Sequence, residues 1–203
     1  MTRSRFCIIA LIIALTATAT ASIAAPGSAP EAVRMRIDKN HSTVSFKVPI
    51  LAGMSTVTGK FTDFAIEFDY DDAEPNRSSV SAAIQVASID TGIDGRDRHL
   101  RTADFFDVDE HPSMTFVSDR VEIDGNRGQA YGTLTLRGTS RPVVLELELM
   151  RTGDRGLGVK ATTTFDRTDF GLVWEHAEVP FFVGHDVTAE LFILASMPRQ
   201  ERP

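Results

Sequence analysis

The chain has 203 residues, 42% of them hydrophobic and 24% charged, the proportions of a globular protein with apolar material for one core rather than of a disordered chain. Its formal net charge is −7, and no basic stripe with interleaved aromatic residues runs through it, so the overall field repels phosphate backbones and nucleic acid is not an expected partner.

Arg3 and Arg5 precede the apolar run "FCIIALIIALTATA", and the small-residue stretch "TATASIAAP" follows. This is the pattern of a signal peptide, 1–24, with cleavage expected after Ala24. The run falls short of the roughly 20 residues of a membrane-spanning helix, and no integral membrane segment is expected in the mature chain. Removing 1–24 takes away Arg3 and Arg5 but no acid, so the charge becomes −9, and it also takes away Cys7, the only cysteine. An exported, acidic chain without disulfides is expected in a bacterial periplasm, where its stability must come from burial.

Residues 25–33, "APGSAPEAV", read as a loose leader, 34–197 as one domain and 198–203 as a polar tail. Within the domain, period-two alternation recurs. Val44, Phe46 and Val48 share one face of a first strand; Phe64, Ile66 and Phe68 form a second, and Val80, Ala82, Ile84 and Val86 a third. The fourth begins with Met114 and Phe116 and continues through Val121 and Ile123. Ala130, Gly132, Leu134 and Leu136 follow, then Val143, Leu145, Leu147 and Leu149, then Val159, Ala161, Thr163 and Phe165. Val187, Ala189, Leu191, Ile193 and Ala195 make the last. "DGNRG", "LRGTSRP" and "RTGDRG" mark tight hairpins between the later strands. About eight consecutive antiparallel strands predict an all-β, up-and-down barrel, because closure removes raw sheet edges. The small residues Ala82, Ala130, Gly132, Ala161, Ala189 and Ala195 leave the barrel axis either underfilled, as for a ligand, or filled by larger neighbours.

Two stretches interrupt the alternation. "GRDRHLRTADFFDVDEHP", residues 95–112, reads as a short helix started by Asp94 and Asp97 in a capping-box-like pattern, with Asp97 and Arg101 paired at i,i+4. Arg96, His99 and Leu100 would share the face that docks on the barrel, with Phe105 and Phe106 as anchors. Between Phe165 and Val187 a long loop carries Phe170, Trp174, Phe181 and Phe182. Such aromatic residues either plug one end of the barrel or form a contact between two copies of the chain, a homodimer.

Signals of bond-making chemistry are few. His41, His99, His111, His176 and His185 are scattered with no HxxxH or HExxH, so no metal is expected. There is no Gly-x-Ser-x-Gly elbow, no phosphate loop, no mature cysteine and no sign of a cofactor. Asp71 and Asp72 lie in "DYDDAEPNRSS", where turn chemistry accounts for them.

Taken in order, "IDKNHSTVSFKV", "VTGKFTDFAIEF", "RDRHL", "DFFDV", "HPSMTF", "YGTLTLRGTSRPVVLEL", "FDRTDFGL" and "VGHDVTAELFILA" resemble the YceI-like family of secreted, lipocalin-like isoprenoid-binding proteins, from about Met35 to Met197. The resemblance implies an extended eight-stranded antiparallel barrel with a small helical element, enclosing an apolar tunnel for a polyisoprenoid such as a quinone tail or a prenyl phosphate. The chain is then expected to be a periplasmic carrier of an isoprenoid or similar long-chain amphiphile, with no catalytic residue. The alternative is an enzyme acting on such a lipid with His99 or His185 as base. Alternation assigns Phe46, Val48, Ile84, Leu134, Leu147, Ala161 and Ala189 to the tunnel wall, and Arg96, His99, Leu100, Phe170, Trp174 and Phe181, from the two stretches that break it, are expected at its end or in the helix contact.

Overall fold

The computed structural model describes residues 32–180 and 182–198. The expected signal peptide, most of the leader and the tail from 199 lie outside them, as does Phe181. The described strands are β1 Val33–Arg34, β2 Arg36–Ile37, β3 Thr43–Ile50, β4 Ser55–Phe61, β5 Phe64–Tyr70, β6 Ser79–Gln85 and β7 Ile89–Asp90, followed by helix α1 Asp94–Arg101. Then come β8 Ser113–Asp124, β9 Arg127–Leu136, β10 Thr139–Arg151, β11 Gly156–Asp166 and β12 Asp186–Ser196.

All the long strands belong to one curled antiparallel sheet in the order β5-β6-β8-β9-β10-β11-β12-β3-β4. That is chain order, entered in the middle. β5 to β12 form the meander, and β12 turns back onto β3 from Thr188↔Lys47 to Phe192↔Thr43. Only the step from β4 to β5 carries no strand pairing, although Thr62 and Asp63 alone separate the two in sequence. The seam is covered instead. β7 pairs with β4 through Phe61↔Ile89, Thr62 N donates to Ser88 O and Gln85 N to Asp63 O. Val86 and Ile89, each 1% exposed, fill the space behind them with Val44, Phe61, Phe64 and Ile84.

Nine of the described strands are long, one more than the eight that alternation marks, and the additional one is β4. Its apolar face reads Val57, Gly59, Phe61. The break is steric: a methyl group at Gly59 would run into the ring of Phe46 on the neighbouring strand, so close approach of that ring demands glycine there. The change of phase in β8, from Met114 and Phe116 to Val121 and Ile123, also has a cause. A bulge between Ser118 and Arg120 sets an extra residue in the strand, which restores an apolar inner face after the shift.

The two ends of the barrel are filled differently. At one, Met35, Tyr70, Leu157 and Ala195 are buried together with Phe68 and Leu149 packed on them. At the other, Phe105, Leu136, Phe170 and Leu172 are buried, with Leu100, Phe106 and Trp174 against them. Helix α1 starts otherwise than its sequence suggests. Ile93 occupies the N-cap position and Asp94 makes no side-chain cap. Buried Asp97 instead reaches back to Thr91, accepting from its backbone N–H at 3.0 Å and its hydroxyl at 2.5 Å. The Asp97–Arg101 pair does not form, since Arg101 donates to the carbonyls of Ala87 and Ile89, both at 2.8 Å, and so ties the helix to the seam. Main-chain acceptors were nearer than the carboxylate.

Candidate ligand-binding cavity

Between the two filled ends lies a cavity of ≈ 410 Å³. Inward side chains of every long strand reach its wall, from Phe68, Leu149 and Val159 at one end to Leu100, Leu172 and Trp174 at the other. Phe46, Val48, Ile84, Leu134, Leu147, Ala161 and Ala189 all line it, as do Phe116, Leu145 and Leu191 from the same alternating faces. Ala82, Ala130, Ala161 and Ala189 stand on the wall and leave room. Two of the small residues do not. The space above Gly132 is taken by the Val117 carbonyl oxygen and by the Phe116 ring, which a methyl group would meet at 2.7 Å, and Ala195 is packed into the closed end.

Among the described residues, the polar ones that line the cavity are Ser45, Thr163, Arg96, His99 and Arg167, and none of the lining residues is an aspartate or glutamate. Arg96, His99 and Arg167 belong to the end formed by α1 and the loop after β11. Arg96 Nε donates to Thr91 Oγ1 at 2.7 Å and Nη2 to Thr91 O at 2.9 Å, so Thr91 joins Arg96 to the buried carboxylate of Asp97. The His99 side chain is 41% exposed and contacts Asp104 Oδ2 through Nε2 at 2.9 Å. Its ring stands edge-on to Phe105 and Trp174, with centroids 5.0 and 5.3 Å away.

Arg167 is 3% exposed and organises the loop. Its Nε donates to Gly184 O at 3.0 Å, Nη1 to Leu172 O, and Nη2 to Val183 O and to Glu175 Oε1 at 3.1 and 2.9 Å. One guanidinium thus satisfies three loop carbonyls that no strand partner reaches, and its charge is paired. Arg137, in the turn after β9, does the same between segments by donating to Ala103 O and Gly171 O, both at 2.7 Å.

The chain matches the YceI-like domain family over residues 35–195. It belongs to the YceI-like family. A UPF0312 protein of Pectobacterium atrosepticum is 36% identical over 165 residues, 78% of this chain and 85% of the relative. One from Shewanella baltica is 34% identical over 184 residues, 87% and 95%. Among solved structures, Burkholderia cenocepacia BcnA superposes with a TM-score of 0.73 at 23% identity, covering 79% of this chain and all of BcnA. A Campylobacter jejuni YceI protein gives 0.63 at 27% identity over 72% of this chain and 88% of that one. A polyisoprenoid binding domain from Saccharophagus degradans, implicated in plant cell wall breakdown, gives 0.63 at 16% identity over 82% and 99%.

In this YceI-like chain the end residues expected from sequence divide into two groups. Arg96, His99, Leu100 and Trp174 reach the cavity. Phe170 does not: it is 1% exposed and packs against Phe165, centroids 5.2 Å apart, behind the wall. From the same loop Phe182 and Val183 do line the cavity, and the bridge Ile50↔Val183 fixes their segment to β3. His185 is off the cavity and half-exposed, 3.7 Å from Glu175 and 3.9 Å from Asp166. Among the described residues, no three His, Cys, Asp or Glu side chains gather as they would around a metal ion, and no helix is long and apolar enough to cross a membrane.

Proposed function

We propose that the protein is a periplasmic carrier that holds a polyisoprenoid, of quinone or prenyl phosphate type, or a similar long-chain amphiphile in its barrel without changing it chemically. The observation that carries this reading is the cavity wall, apolar along the barrel and polar only by Ser45, Thr163 and the basic residues of one end. A tail laid against such a wall is stabilised by about 25 cal/mol per Å² of apolar area removed from water. Membership of the YceI-like family and the structural likeness to a polyisoprenoid binding domain support the ligand class. The signal-peptide pattern before Ala24 supports the compartment. The test is mass spectrometry of organic extracts from protein purified out of its native periplasm. One prenyl lipid recovered in near-stoichiometric amount is expected, and extracts without lipid would overturn the reading.

A second reading rests on the contact of His99 with Asp104, a histidine oriented by a carboxylate beside the cavity. It requires turnover: the same lipid, incubated with the protein, would be recovered as a converted product, whereas the carrier returns it unchanged.

A further inference from the structure

We infer that the ligand carries an anionic headgroup, of phosphate type, which rests at the α1 end of the cavity on the guanidinium of Arg96. This rests on the carrier reading and narrows it. In a chain with 28 acidic and 21 basic residues, every ionisable side chain that lines the cavity among the described residues is a base. His99, which stands at that end, is itself partly exposed, so a charged head beside it can keep part of its hydration while the tail lies in the apolar barrel.

The three bases are not equivalent. Arg167 has spent Nε, Nη1 and Nη2 on loop carbonyls and on Glu175, so it holds the loop and has its charge compensated. His99 is engaged with Asp104. Arg96 forms no ion pair among the described residues, and of its nitrogens only Nε and Nη2 enter hydrogen bonds, both to Thr91. Those two bonds fix the plane of the guanidinium through Thr91, itself held by Asp97, and leave Nη1 unspent. A side chain held in advance loses little freedom when an anion arrives, and a charge-assisted bond to a phosphate oxygen at a half-buried site is stronger than one to a neutral oxygen. A quinone carbonyl would gain less from the same donor.

The test uses the full mature chain and two probes with the same tail, geranylgeranyl phosphate and geranylgeraniol, with binding followed by calorimetry. The phosphate is expected to bind about tenfold tighter or more, the scale of one hydrogen bond to a charged group. In Arg96→Gln the ratio of the two affinities should collapse to about twofold, and Arg96→Lys should restore part of it. Equal affinities for the two probes in the parent protein, or an unchanged preference in Arg96→Gln, would overturn the assignment of the headgroup and leave the carrier standing. Inorganic phosphate that binds as tightly as the prenyl phosphate would overturn it too, because the anion would then owe nothing to the tail. If neither probe binds, the carrier reading itself fails.

Discussion

The side chains that organise the α1 end of the barrel are single residues with many partners, and each can be weighed alone. Phe170 lies 1% exposed among Phe105, Leu136 and Leu172. Its truncation in Phe170→Ala should cost about 3–5 kcal/mol, the range for a large core ring replaced by a methyl group. Urea unfolding checks this, and a loss below about 1 kcal/mol would show that the ring is not part of the core. Asp166 caps the short helical turn Arg167–Phe170, accepting from the Thr168 hydroxyl at 2.6 Å and the Thr168 N–H at 2.8 Å. Those bonds, the hydroxyl first, hold its carboxyl below the usual aspartate range, with His185 and Arg167 adding to them against the effect of burial. A depressed folded pKa means that the contribution is complete above the unfolded aspartate value of about 3.9 and is lost as pH falls through the folded one. The stability gap between the parent and Asp166→Asn should therefore be constant near neutrality and shrink as unfolding is followed down to about pH 2.5. A gap that does not change with pH would remove the carboxylate from the account.

Among the elements, the long strands were the most legible, because a wall facing an apolar interior imposes alternation on every strand that builds it. Val143 to Leu149 and Val187 to Ile193 carry that pattern unbroken, and all of those inward residues line the cavity. β4 was not legible: Gly59 stands where the pattern needs an apolar side chain, and its reason is a ring on another strand. The ends of the barrel were half-legible. The break in alternation announced α1 and the loop after β11, and their aromatic residues were visible, yet no local pattern marks Arg167 and Arg137. Their role lies in carbonyls that only the folded loop brings within reach. The loop makes one prediction of its own. Trp174 is the single tryptophan and lines the cavity, so its emission should shift when an isoprenoid enters. An unchanged spectrum at saturating ligand would take the indole off the binding site.

At the scale of the molecule, the cavity exists because small side chains stand among larger ones on the wall of a barrel whose ends are filled. Ala189 sits on β12 opposite Phe46 of β3, and both line the wall. Ala189→Trp should fill the space and abolish isoprenoid uptake, while the circular dichroism of the strands persists; normal binding by a folded variant would place Ala189 elsewhere. The sheet reaches its full perimeter only through β3 and β12, where Ser45 donates to the carbonyl of Glu190 across 145 positions of sequence. Of the long strands, a ribosome makes these two first and last. Until the final segment is free, β3 and β11 both present open edges and there is no interior to occupy, so this contact order predicts slow, late closure in which folding and acquisition of the cavity are one event. A chain cut short before Asp186 would be a barrel lacking a stave, with two hydrogen-bonding edges left to find partners on other molecules.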